Sequence, residues 1–331
     1  MDSTSNAEPH PLGWDQETKL VMSLFQPYAS EKITRAATEK WRFAHYTSAA
    51  TASLILGKAP SIRLRQASTM NDFREIEFGT QCIHDSWLAH RSQFDAVFGR
   101  IGPDFGERLW TWFQSWRHTV RFQTFVACVS EHSRGEEDTY GRLSLWRAYG
   151  GANGVALVLS ADPFLRASNA LRAYSSPVAY HTKETFAAEF GRLINRVGEN
   201  LAFLQSKGDA WVFQQMCHTL HYAMLCTKHY GFWEEREWRV VQSPAFGEPK
   251  NLIRSVEIVN DLPQTVLTLP LKDIPEEGLT GIEIPAFLDR IIVGPTQHPF
   301  VIAEAMASLL KANGVEDPAS KIAYSDIPLR Q

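Results

Sequence analysis

The amino-acid sequence predicts an α+β fold: a mixed sheet core with a large helical insertion. Three observations carry that prediction. Strand-like and helix-like runs do not alternate regularly along the chain, which argues against a doubly wound parallel sheet. Two long helical periods fill the middle, and the last third returns to short β-branched runs. With 331 residues, of which 44% are hydrophobic and 11% aromatic, the chain can bury a substantial core. Residues 1–30 read as a flexible lead and a short helix, and residues 31–331 as a single domain.

Residues 1–14 are rich in Ser, Pro and small polar side chains, and an amphipathic helix is expected near Gln16–Phe25. Trp41–Tyr46 reads as a strand. Thr47 or Ser48 can cap the next helix, which ends before Gly57. Ser61–Arg65 alternates like a half-buried strand, and a polar turn at Asn71-Asp72 leads into helix from Phe73 to Val120, broken at Gly102-Pro103. Thr124–Val129 suits a central strand. A polar loop is expected over Glu131–Gly141, a short helix over Leu143–Tyr149 and a buried strand over Gly154–Leu159. Leu171–Tyr180 reads as extended, and helices are expected over Lys183–Leu204 and Asp209–Lys228. Strands follow at Glu235–Gln242, Ile253–Val259, Thr265–Leu269 and Asp289–Val293, then a helix at Phe300–Ala312 and a strand at Ile322–Tyr324.

Composition narrows the function classes. A net charge of -4 is too mild for wholesale nucleic-acid or membrane binding, although it leaves room for a local basic patch. The scattered Cys82, Cys128, Cys217 and Cys226 form no CxxC pair and read as free thiols of a reducing compartment. The first residues do not read as a signal peptide, and no stretch has the length of a membrane span, so the cytoplasm is the expected location. No metal is expected. Cys217, His218, His221, Cys226 and His229 match no common zinc spacing, and helix burial explains them. Gly150–Gly154 precedes a strand, the wrong context for a dinucleotide fingerprint, and neither a P-loop nor a GxSxG elbow occurs.

Four segments remain as candidates for chemistry. In Trp233–Val241, a strand would place Glu235, Glu237 and Arg239 on one face. Two carboxylates one strand repeat apart repel, which raises a pKa or holds a cationic partner. A solvated strand edge with a weak Glu237–Arg239 surface pair is the competing reading. His45, at the end of an early strand beside Tyr46, Thr47 and Ser48, can donate to a sugar hydroxyl; a satisfied structural histidine is the alternative. The third segment joins Ser130, at a strand end, to a helical turn with Trp146, Arg147 and Tyr149. There Arg147 suits phosphate and Tyr149 can stack on a planar ring, whereas Trp146 fits the core. In the fourth, Arg108–Arg121, arginines interleave with tryptophans, a pattern of single-stranded nucleic-acid binding but more often of an amphipathic core helix.

Several segments, in this order, resemble a bacterial family known as domain of unknown function 2971. They are His45-Tyr46-Thr47, Leu64–Glu75 with Asn71-Asp72, Cys128–Glu131, Leu145–Tyr149, Trp233–Arg239, Ile292–Pro295 and Tyr324–Arg330. The layout is also similar to the ADP-ribosyltransferase plan, with a His or Arg on the first strand, a Ser or Tyr on a middle strand and a late Glu-x-Glu. That resemblance implies an ADP-ribosyltransferase-like core using NAD as a substrate. His45, Tyr46, Ser130, Arg147 and Tyr149 would bind NAD, with Glu237 as the catalytic glutamate and Glu235 orienting the acceptor. This chain lacks a full Ser-Thr-Ser run at Ser130 and has no unique counterpart to the tyrosine of a His-Tyr-Glu triad.

The resemblance implies transfer of ADP-ribose to a macromolecule, RNA or protein, in a toxin or anti-phage role, with an antitoxin as a possible protein partner. NAD hydrolysis without an acceptor and a non-catalytic nucleotide- or partner-binding module are the alternatives.

Overall fold

The computed structural model describes residues 10–69, 74–166, 168–259 and 261–328. Asn71, Asp72 and Arg330 lie outside that set. Helices α1 (Gln16–Phe25) and α2 (Pro27–Thr38) lead into β1 (Arg42–Ser48), α3 (Ala49–Ile55) and β2 (Ser61–Gln66). Then come α4 (Arg74–Phe98), α5 (Phe105–Gln123), β3 (Phe125–His132), β4 (Gly154–Ser160), β5 (Ala173–Pro177) and β6 (Ala179–His181). Helices α6 (Lys183–Glu199), α7 (Leu201–Lys207) and α8 (Asp209–Leu225) follow, then β7 (Thr227–His229), β8 (Glu237–Gln242), β9 (Ile253–Val259) and β10 (Leu262–Pro270). Strand β11 (Leu288–Val293), helix α9 (Pro299–Ala312) and β12 (Ile322–Tyr324) close the described chain.

Local chemistry explains the boundaries. Asp15 caps α1 by accepting from the Thr18 N–H at 2.7 Å, and Ser48 caps α3 by accepting from Thr51 at 3.1 Å. Helix α2 carries no strong sequence signal because the residues it buries are the small Ala29 and Ala36. The helix expected over Lys183–Leu204 is interrupted at Asn200, whose side chain donates back to the Arg196 carbonyl. The following helix ends at Leu225 rather than Lys228, because Thr227–His229 pairs in parallel with β6.

Among the described residues, ten strands form one mixed sheet, and β6 and β7 form a separate pair. The main path runs β12-β11-β4-β1-β3-β2-β10-β9, with β8 and then β5 on the other edge of β3. The helical layer comes from two chain stretches, α4–α5 and α6–α8. It packs Phe94, Phe113, Ile194 and Met216 over Val126 of β3 and Val241 of β8. On the opposite face Phe43, Val129 and Trp238 form a second core. A third core lies between β4, β11, α3 and α9.

The sheet opens beside β3. Strand β8 pairs continuously with residues 125–130 on one edge. On the other edge β1 pairs only with residues 130–132, and β2 only with residues 125 and 126. Between them, Ala127–Val129 have no strand on that edge among the described residues. From His45 onward β1 continues with β4 alone, and residues 61–64 of β2 pair with β10. The two strands diverge and leave a notch with Cys128 at its apex.

Candidate functional site

An unpaired strand edge inside a sheet leaves backbone groups that need partners. His45 supplies one: its Nδ1 lies 3.0 Å from the Cys128 carbonyl. A carbonyl can only accept, so Nδ1 carries the proton. Burial lowers the His45 pKa, and the bond to Cys128 opposes that shift only in part. The ring is therefore neutral near pH 7, and its Nε2, a lone-pair acceptor, has no partner among the described residues.

On the other side of β3, Cys128 is in register with Arg239 and Ser130 with Glu237. These four side chains share one face. Glu237 is 6% exposed and Arg239 1%, so the sequence alternative of a solvated surface pair does not hold. Glu237 Oε1 accepts from Arg239 Nε at 2.8 Å, and its Oε2 from Lys228 Nζ at 3.2 Å. The Cys128 thiol donates to the same carboxylate. Burial pushes the Glu237 carboxyl up, but Arg239 and then Lys228 outweigh it and hold it down at about 2. It is ionised at any physiological pH.

Glu235 does not lie on this strand. It ends a 3-10 segment, Tyr230–Glu235, and Arg236 then takes a left-handed conformation with φ 42°. That kink breaks the two-residue alternation, so the strand begins at Glu237 instead of the expected Glu235. Glu235 and Glu237 are nonetheless brought together by one ammonium, because Lys228 Nζ also lies 2.5 Å from Glu235 Oε2. Lys228 is 3% exposed and sits 4.8 Å from the Phe232 ring centroid. Two cations and two carboxylates thus form a neutral cluster. Its most solvent-accessible member is Glu235, at 17% side-chain exposure.

Arg147 and Tyr149 are carried by a single π-helical turn, Trp146–Gly150, a local irregularity common at functional sites. The turn is anchored by Trp146, whose indole donates to the Tyr140 carbonyl at 2.8 Å and packs edge-on against Tyr46. Trp146 is core, whereas Arg147 and Tyr149 are exposed. The Tyr149 pKa is pushed up by burial of its hydroxyl end and by the nearby Glu235, with Glu237 adding to the effect. That coupling places the phenol within electrostatic reach of the acid cluster. Tyr46 is buried and its hydroxyl accepts from the Arg142 N–H at 2.8 Å, so it supports the turn from below.

The structure therefore gathers Ser130, Glu237, Glu235 and Tyr149 beside Cys128. His45 reaches the Cys128 carbonyl from β1, but Ala44 is the β1 residue in register with Ser130, so strand alternation turns His45 toward the other face. Tyr46 stays in the core, and Arg147 lies on the surface of the same turn as Tyr149. Sequence reasoning did not find Lys228, the hub of the cluster, because it extended the preceding helix through it. One signal was present: Lys228 is the sole Lys or Arg between Lys207 and Arg236, and a lone cation in so apolar a stretch needs a partner. Among the described residues, no group of three or more His, Cys, Asp or Glu has an arrangement that could hold a metal ion.

Residues 145–240 match the model of a family described as a protein of unknown function, DUF2971. The match spans under a third of the chain. It includes Tyr149, Lys228, Glu235, Glu237 and Arg239, and it stops short of His45, Cys128 and Ser130. No curated protein and no solved structure matches the chain.

Proposed function

We propose that this chain binds NAD at the notch beside β3 and transfers its ADP-ribose unit to a macromolecular acceptor, RNA or protein. One observation carries the reading. Three neighbouring antiparallel strands, β1, β3 and β8, carry His45, Ser130 and Glu237, and His45 and Glu237 each bond to Cys128, one at its carbonyl and the other at its thiol. That order agrees with the layout to which the sequence is similar.

In the proposed reaction the bond between the nicotinamide nitrogen and ribose C1′ breaks, and its electron pair leaves with the nicotinamide, which becomes neutral. Positive charge grows on the ribose, as in glycoside cleavage. A fixed carboxylate at that position favours the transition state over the ground state. The acceptor's oxygen or nitrogen then bonds to C1′ and loses its proton to a carboxylate or to water. Glu235, the outermost charged group of the cluster, is suited to meet the ribose and acceptor. Glu237, held by Arg239 and Lys228, fixes the cluster's charge and geometry. Neutral His45 offers Nε2 to a ribose hydroxyl, while Tyr149 flanks the nicotinamide and Arg147 the pyrophosphate.

A second reading has its own support: Glu237 already accepts from Arg239, Lys228 and the Cys128 thiol. Saturation of that kind suits a buried structural anchor in a non-catalytic nucleotide-binding module. Incubation with NAD labelled in the adenylate, together with total RNA or total protein, separates the readings. Label on an acceptor supports transfer, whereas free ADP-ribose alone makes the chain an NAD glycohydrolase. Retained NAD without turnover supports the binding module.

A further inference from the structure

A cleft of about 380 Å³ lies at the opposite end of β1 from the mouth of the notch, between α2, the start of β1 and the end of β3. Its lining holds six Lys or Arg side chains against two carboxylates, Glu39 and Glu131. Some of these cations are engaged: Lys32 with Glu131, Arg35 with Glu39, Arg42 with Asp138 and Asp289, and Arg236 with Glu137. Lys40 and Arg134 are exposed and have no carboxylate partner among the described residues. The buried His132 on the same wall has no hydrogen-bond partner at Nδ1. The cations Lys40 and Arg134 at the rim of the cleft, unpaired among the described residues, are the feature that suits an anionic chain.

In the chain, an aromatic segment adjoins the cleft. Arg236, on its wall, directly follows Tyr230–Glu235, where Tyr230 is 56% and Trp233 52% exposed. Exposed rings of that size next to one another are unusual on a surface that faces only water. Arg142 ties the two regions together, donating to the Glu234 and Glu235 carbonyls on one side and to the Glu131 carbonyl on the other. Between the aromatic rings and the cleft stands the Glu235–Arg236–Glu237 turn.

We propose that this surface binds single-stranded nucleic acid, with its phosphates at Lys40 and Arg134 and unstacked bases on Trp233 and Tyr230. Cationic grooves flanked by stacking rings hold single strands in this way, and a duplex cannot offer its base faces. The inference names the acceptor class for the transfer reaction and in that respect rests on that reading. The arginine- and tryptophan-rich helix α5 is less suited to this purpose. Its Arg108 is paired with Asp209, its Arg121 with Glu77, and Trp112 and Trp116 stack on each other against the core.

The test uses the full chain without NAD and a fluorescein-labelled ten-nucleotide RNA of mixed sequence, read by anisotropy over a range of salt concentrations. Lys40→Ala/Arg134→Ala is expected to weaken binding and to reduce the slope of log affinity against log salt by about 1.4, at about 0.7 for each phosphate that is no longer neutralised. Tyr230→Ala/Trp233→Ala is expected to weaken binding at least about tenfold and to leave that slope unchanged. All four residues are exposed, so both variants should melt like the parent. The proposal is overturned if the parent does not bind the RNA at low salt or binds a duplex or a polyglutamate peptide as tightly. Equal binding by the parent and both variants overturns it as well. Because NAD is absent, a failure here is read separately from a failure of NAD cleavage.

Discussion

Replacing Lys228 by Met removes the ammonium between two carboxylates while keeping most of the side-chain volume. The cluster of Lys228, Arg239, Glu235 and Glu237 then changes from neutral to a net charge of −1, with Glu237 only 6% exposed. Breaking a buried ion pair by removing one partner costs about 3–5 kcal/mol. At an unfolding entropy of about 2.1 cal/mol/K per residue, a chain of 331 residues loses about 4–7 °C of Tm. The double variant Lys228→Met/Glu235→Gln restores neutrality, leaving Arg239 paired with Glu237, and is expected to recover at least half of that loss. Calorimetry or circular dichroism at pH 7 and low salt reads both numbers. A Lys228→Met protein that melts within 1 °C of the parent, or a double variant less stable than Lys228→Met, would refute the assignment of Lys228 as the hub.

Three further outcomes follow from named contacts. Because the folded-state pKa of Glu237 lies below its ordinary value, at about 2, the stability it contributes is present above the unfolded pKa, about 4.3, and is lost as pH falls toward 2. Denaturant titrations at pH 6, 4 and 3 should therefore fall more steeply for the parent than for Glu237→Gln; parallel curves would contradict the depressed pKa. Neither ring nitrogen of the fully buried His221 has a hydrogen-bond partner among the described residues, and burial together with His218 holds its pKa near about 3. His221→Leu is expected to raise stability by about 1–2 kcal/mol by thermal melting, and a loss of stability would reveal a partner for the ring. Gly141 has φ 67°, and a Cβ there would lie 2.7 Å from the Trp146 indole. Gly141→Ala should thus destabilise by about 1–3 kcal/mol and shift Trp fluorescence, whereas an unchanged spectrum and melt would argue against the described seat of the π-helical turn.

The parts of the fold legible in the sequence were those with strong local period or punctuation. Helix α1, the capped start of α3 and the apolar runs of β3 and β4 are each specified by residues within one segment. What was not legible depends on long-range contacts. The notch exists because β1 and β2 share one edge of β3, a pairing that no local pattern encodes. Lys228 leaves the helical period because two carboxylates and strand β6 draw it into an extended segment. The kink at Arg236 shows the same limit, since a non-glycine residue in the left-handed region is not announced by sequence. At the candidate site the sequence reading singles out His45, Tyr46, Ser130, Arg147, Tyr149, Glu235 and Glu237, of which the structure brings Ser130, Tyr149, Glu235 and Glu237 together beside Cys128. It could not foresee that the two glutamates reach each other through an ammonium rather than along a strand face.

The most direct test of the central claim is nicotinamide release from NAD by the purified chain, measured by chromatography with and without added RNA. The expected result is release by the parent that falls about a hundredfold or more in Glu235→Gln, the scale of a key electrostatic group at the ribose, at a temperature where both proteins remain folded. No release under any condition, or equal release by the two proteins, would contradict the assignment of the Glu235–Glu237 site beside Cys128 to NAD chemistry.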